Sequence, residues 1–114
     1  MPSNRVSPKF LSDFKRRVYE IVAKIPKGFV ASYSQIAEVA GSKNYVRAVG
    51  NALHVNPYPR EKVPCHRVVK SNGDIGGYAN GALVKMNMLI GEGVEIVKGK
   101  VNLKKHLVNI ELLK

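Results

Sequence analysis

A single cysteine stands directly before a histidine and an arginine in Pro64-Cys65-His66-Arg67-Val68-Val69. A thiol becomes a strong nucleophile only as its thiolate, and a neighbouring base or cation promotes that ionisation. In a chain of formal net charge +11, the trio points to nucleophilic chemistry on nucleic acid. The alternative for a lone cysteine is a small buried hydrophobe beside the Val-Val pair. One cysteine excludes an intramolecular disulfide, and no Cys/His cluster has zinc-site spacing. No metal and no cofactor are expected.

The charge is broadly distributed. Nineteen Lys and Arg face eight acids along the whole chain, with no basic tail, repeat or low-complexity segment. Polyanion binding is the functional reading and solubility the bland one. With 114 residues and 45% apolar content, the chain predicts one domain, residues 1–114, around one modest core. No apolar run approaches the roughly 18 residues that would cross a bilayer. Met1 to Lys9 lacks a signal-peptide apolar stretch. These features predict a monomer away from the membrane, cytoplasmic or, in a eukaryote, nuclear, where a reduced thiol persists.

The elements around the cysteine read as mainly helical. Ser7-Pro8 fits an N-cap and first helical position, and Phe10, Phe14, Val18, Ile21, Val22 and Ile25 follow at helical spacing toward a core. Pro26 and Lys27-Gly28 end that helix, and Phe29-Val30-Ala31 is a short strand. Ser34 caps a helix through about Ala40, and Gly41-Ser42 turns the chain. A second helix, beginning at Ser42 or Asn44, carries Val46, Val49, Ala52 and Leu53. Helix, glycine turn, helix is the helix-turn-helix pattern. Asn56-Pro57-Tyr58-Pro59 cannot continue it and makes a stiff turn toward Cys65. Val68-Val69 is a strand, Ser71-Asn72-Gly73-Asp74 a turn, and Gly76 to Gly81 a loop without a phosphate-binding fingerprint. Val84 to Ile90 is a helix stopped by Gly91 to Gly93. Val94 to Val97 is a terminal strand, and Asn102 caps a last helix through Leu107, followed by a docked segment. The fold class is mainly α with a few short β strands, a winged-helix-like helix-turn-helix domain.

Laid out in order, Ser32-Tyr33-Ser34-Gln35-Ile36-Ala37, Arg47-Ala48-Val49-Gly50, Asn56-Pro57, Pro64-Cys65-His66-Arg67-Val68-Val69, Gly76-Gly77-Tyr78 and Gly91-Glu92-Gly93 resemble the catalytic domain of the O6-alkylguanine-DNA alkyltransferases. The likeness runs from about Phe10 to Val101. An N-terminal domain that many members carry has no counterpart in this chain. The resemblance implies direct repair of double-stranded DNA containing alkylated guanine. The alkyl group moves irreversibly to Cys65 in a single turnover, after the target base is flipped from the duplex.

The same resemblance implies the individual roles. His66 acts as a base on Cys65 through a water, and Glu92 orients the imidazole, in the nucleophile–base–orienter order of hydrolytic triads. A depressed Cys65 pKa is expected from that arrangement. Tyr33 rotates the nucleotide and donates a proton or hydrogen bond to the leaving guanine. Arg47 fills the gap left in the base stack. Tyr78 lines the alkyl pocket, Asn56 braces the active-site turn, the carbonyls of Cys65 and Val68 accept from the guanine amine, and Arg67 makes a structural ion pair.

Two departures stand out. Ala79 replaces a serine of some members, leaving only its backbone N–H for the guanine oxygen. The segment Tyr58 to Lys62 is one residue longer and more charged than in familiar members. Two other readings compete. Alkyltransferase-like proteins are similarly short and bind the lesion without a nucleophilic cysteine, whereas Cys65 is present. A winged-helix transcriptional regulator would have no use for Cys65, His66 and Glu92 together.

Overall fold

The computed structural model describes residues 8–78 and 81–114. The first helix, α1 (Pro8–Val22), buries Phe14, Val18, Ile21 and Val22 on the stripe their spacing demands. Its predicted cap Ser7 lies outside the described residues. Phe10 departs from expectation: it is 45% exposed, stacked on Phe14 and edge-on to Tyr45. Periodicity defines a helix face, but not how far the neighbouring helices extend along it. After Val22 the chain tightens into i→i−3 bonds that carry Ile25 into the core.

The strand β1 (Ala31–Ser32) runs straight into α2 (Tyr33–Ala40). The cap is Ser32 rather than Ser34. Its hydroxyl accepts from the Gln35 N–H at 3.0 Å, and Gln35 Oε1 accepts from the Ser32 N–H at 2.9 Å. This reciprocal box requires a Gln or Glu three residues after the cap, and only Ser32 has one. Gly41, at φ 150, closes the helix so tightly that a Cβ would sit 3.1 Å from the Tyr45 ring. Ser42 caps a single 3-10 turn, Lys43–Tyr45, ahead of α3 (Val46–His54). Val49, Ala52 and Leu53 are buried as expected, whereas Val46, at the open start of α3, is exposed. Helices α2 and α3 form the helix-turn-helix pair.

The strand β2 (Val68–Val69) pairs in parallel with β1, Ala31 opposite Val68 and Ser32 opposite Val69. Neighbouring residues on a strand point to opposite faces, and this minimal sheet uses that to divide two cores. Ala31 and Val68 join the cluster built on α1, α2 and α3. Val30 and Val69 join a second cluster with Ile75, Leu89, Val94 and Val101.

The second core rests on α4 (Ala82–Gly91), longer at each end than predicted. A hairpin follows, β3 (Ile96–Val97) with β4 (Lys100–Val101), turned at Lys98-Gly99. Val94 lies outside the strand because its N–H closes the end of α4 on the Leu89 carbonyl. Asn102 precedes α5 (Leu103–His106), but its side chain reaches Glu95 instead of capping. The terminal segment docks as expected: Val108 donates to the Val30 carbonyl, and Leu113 is buried. The architecture is mainly α with two small two-stranded sheets, in the helix-turn-helix-then-hairpin order of a winged helix. No helix among the described residues is long and apolar enough to cross a membrane.

Candidate active site

Cys65 opens a 3-10 turn, Cys65–Arg67, that leads directly into β2. The approach to it is stiffened from both sides. Asn56 Oδ1 accepts from the Tyr58 N–H at 2.9 Å, while Asn56 Nδ2 donates to Cys65 Sγ at 2.8 Å. Asn56 therefore braces the turn, and it also touches the thiol itself. Tyr58 packs edge-on against Tyr19, whose hydroxyl donates to the Ala52 carbonyl at 2.7 Å. The turn is thus anchored to α1 and α3.

His66 is almost completely buried, and its Nε2 lies 2.9 Å from Glu92 Oε2. Nε2 facing a carboxylate is the protonated nitrogen, so in the neutral ring Nδ1 carries the free lone pair. Nδ1 is buried with no hydrogen-bond partner among the described residues. Arg67 takes the other side of Glu92. Its Nε donates to Oε1 at 2.9 Å, Nη2 to Oε2 at 2.8 Å, and Nη1 to the Ile25 carbonyl at 2.8 Å. Arg67 thereby makes the structural ion pair expected of it.

Glu92 follows the last residue of α4, where Gly93, at φ 93, turns the chain away. A carboxylate at a helix C-terminus opposes the helix dipole. The cation on Arg67 and the imidazole N–H offset that. Burial alone would raise the Glu92 carboxyl, but the hydrogen bonds from Arg67 and His66 bring it below its ordinary value. Burial lowers His66, outweighing Glu92, so the ring is neutral and Nδ1 can accept a proton.

The thiol departs from the sequence expectation. Burial raises the Cys65 pKa above its ordinary value, against the smaller lowering effects of the Asn56 hydrogen bond, a backbone hydrogen bond and the Lys85 charge. A buried thiolate lacks water, and these groups offset that loss only in part. The resting side chain is a neutral thiol beside a neutral base.

Cys65 opens on a cavity of about 530 Å³ whose walls include Tyr33, Asn56, Val63, Tyr78, Val84 and Met88. Tyr33 is the first residue of α2, half-buried, and its phenol is raised by burial and then by Cys65, so it remains a proton-bearing donor. Tyr78 lies in the same wall. Val68 does not line the cavity; its side chain is in the first core, and its N–H donates to the Cys65 carbonyl. Ala79 lies outside the described residues. Arg47 is not brought to the cavity. It is exposed near the start of α3, with no hydrogen bond or ion pair to a described residue, while Gly50, Leu53 and His54 of that helix do reach the cavity wall.

Sequence reasoning missed Lys85, Val84 and Met88, all on α4. Lys85 has no exposed surface. Its signal was present, because it lies four residues before buried Leu89 and so on the same helix face. A lysine at a core position is rare enough to demand an account.

Known proteins resemble this chain in sequence and fold. A family model described as the DNA binding domain of 6-O-methylguanine DNA methyltransferase matches residues 13–94. The methylated-DNA--protein-cysteine methyltransferase of Methanothermobacter thermautotrophicus is 40% identical over 85 residues, 75% of this chain and 47% of that protein. Among solved structures, Atl1 of S. pombe in complex with damaged DNA containing O6-carboxymethylguanine has a TM-score of 0.75 at 34% identity, covering 86% of this chain and 96% of that one. OGT of Mycobacterium tuberculosis in complex with DNA has a TM-score of 0.68 at 37% identity, covering 78% and 51%. The chain thus spans less than half the length of that curated archaeal relative and nearly all of Atl1. With most of its length inside the family model and the PCHRV block at its centre, the chain belongs to the 6-O-methylguanine DNA methyltransferase family.

Proposed function

We propose that the protein repairs DNA directly, taking the alkyl group from O6-alkylguanine onto Cys65 in a single turnover. His66 Nδ1, through a water, removes the thiol proton while Glu92 and Arg67 hold the ring in place. The sulfur attacks the alkyl carbon: a C–S bond forms, and the C–O6 bond breaks with its electron pair moving to guanine. Tyr33 donates a hydrogen bond or proton to the departing anionic base, which becomes ordinary guanine on gaining one proton. The thiol proton, which His66 returns to water or the phenolate, balances that gain. The thioether has no path back to a thiol, so each molecule acts once.

The supporting observation is the order of groups: Asn56 on the sulfur, a neutral His66 whose Nδ1 has no partner among the described residues, and Glu92 fixed behind it. A target base stacked in a duplex cannot reach that sulfur, so the reading includes base flipping, with Arg47 entering the stack. Tyr78 and the backbone N–H of Ala79 are assigned to the flipped nucleotide, as are the carbonyls of Cys65 and Val68. Arg47 is exposed and has no hydrogen-bond or ion-pair partner among the described residues, in keeping with that role.

Incubation with a duplex bearing one O6-methylguanine, followed by intact-mass measurement, tests the reading. One methyl gained on Cys65 and absent in Cys65→Ala is the expected result. One observation favours a second reading, lesion recognition without transfer: the chain covers nearly all of Atl1, which was solved with damaged DNA. Tight lesion binding without mass gain would select it.

A further inference from the structure

Lys85 is the only Lys, Arg, Asp or Glu among the described residues to be buried. An ammonium taken from water without an acid loses several kcal/mol of hydration, and Lys85 has no acidic partner among the described residues. Its Nζ instead donates to the Gly77 carbonyl at 3.2 Å and stands 5.6 Å from the centre of the Tyr33 ring. A Cβ on Gly76 would lie 3.6 Å from Nζ and 3.4 Å from the Tyr33 hydroxyl. The ammonium therefore sits against Tyr33 and Gly77, two residues in the wall of the cavity that holds Cys65. A methionine or leucine would fill the same core position without the desolvation loss. The charge calls for a function.

We propose that Lys85 is a positioning residue for Cys65: its ammonium, fixed by the Gly77 carbonyl and the Tyr33 ring, is the counter-charge against which the buried thiol ionises. The inference rests on Cys65 being the nucleophile of the reaction proposed above. Lys85 transfers nothing. The thiol proton goes to the base, and the ammonium stays protonated beside the new thiolate.

The surroundings agree with that pairing. Burial brings Lys85 down to about 8; Cys65 opposes the shift, and Lys70, beyond β2, adds to it. Burial raises Cys65, and the Lys85 charge is among the groups that oppose it. Around the thiol stand Tyr19 and Tyr33, each raised by burial and then by Cys65, neutral His66 on the same turn, and His54, Tyr58, Arg60 and Tyr78 in the cavity wall. Lys85, buried and without an acid among the described residues, is the cation whose charge lowers the Cys65 value. Each ion is disfavoured alone and supported by the other, so ionisation of the pair is coupled.

The test needs no DNA. Cys65 is the only cysteine, so the pH dependence of iodoacetamide alkylation, followed by intact mass, reports its ionisation directly. Lys85→Met should move the midpoint up by about one unit or more, slowing alkylation about tenfold at pH 7.5. Lys85→Arg should restore the native profile. A Lys85→Met protein with a cooperative thermal transition and an unchanged midpoint overturns the proposal. If Lys85→Met fails to fold, reciprocity supplies the second measurement. In 13C-lysine NMR, the Lys85 ε-carbon titration should shift to lower pH in Cys65→Ala than in the native protein, and an identical titration overturns the proposal. Loss of methyl transfer from DNA would bear on the repair reading alone, so the two failures are distinguishable.

Discussion

Arg67 lies fork-on to Glu92, Nε at 2.9 Å from one carboxylate oxygen and Nη2 at 2.8 Å from the other, and the second oxygen also accepts from His66. The third arm of Arg67 ties this unit to the Ile25 carbonyl, just past the end of α1. A base on one turn and an acid at the far end of α4 are thereby locked to the first core. Arg67 thereby fixes the geometry of the pair to which the proposed reaction assigns the base and its orienter.

Removing the fork should therefore damage stability and chemistry together. Arg67→Ala leaves a largely buried carboxylate with one of its three donors and should lower stability by about 2–4 kcal/mol in denaturant titration. Arg67→Lys keeps the charge but not the bidentate geometry and should recover only part of the loss. Full recovery by lysine would show that charge alone matters.

Glu92→Gln tests the orienter separately. The amide keeps an acceptor but removes the charge that stabilises a protonated imidazole. The single-turnover methyl-transfer rate should fall about 10²-fold or more, with lesion affinity within a factor of about three by gel shift, since the DNA contacts stay intact. Equal losses in both would mean that Glu92 shapes the binding surface instead.

Acid should weaken the protein through His66. Burial holds its folded value below the ordinary 6.5, so the native state carries fewer protons than the unfolded chain across that interval. Its contribution is complete above about pH 6.5 and is lost as pH falls through the lower folded value. Thermal melts from pH 7.5 to 5 should show a falling midpoint, and His66→Asn should flatten that fall. Parallel curves would assign the acid sensitivity elsewhere.

Arg47→Ala should separate DNA handling from the thiol. Stopped-flow transfer from duplex O6-methylguanine should slow about 10–100-fold, since holding a base out of the stack costs a few kcal/mol. Stability should change by less than about 0.5 kcal/mol, because the side chain is exposed and unpaired among the described residues. If only the salt slope of binding changes, by about one, Arg47 is a phosphate contact.

The helices were legible because their signals are local. The stripe of α1, the Gly41 turn and the proline-rich turn before Cys65 all follow from spacing and backbone restriction. The misassigned cap illustrates the limit of that logic: Ser32 and Ser34 are equally good cap residues, and Gln35 decides between them. Phe10 and Val46 carry the right residue type on the right face, but at helix ends the core does not reach.

By itself the sequence determined the chemical inventory: one thiol, one adjacent imidazole, a strongly basic chain and the ordered motifs that mark its family. Tertiary structure decided how these groups are charged. Glu92 is 26 residues from His66, and only the packing of α4 against the Cys65 turn makes them partners. The same packing buries Cys65 and Lys85, reversing the expected depression of the thiol and bringing a cation within electrostatic reach of it. Ionisation depends on how much water each group loses and which charges replace it, and both are properties of the folded environment.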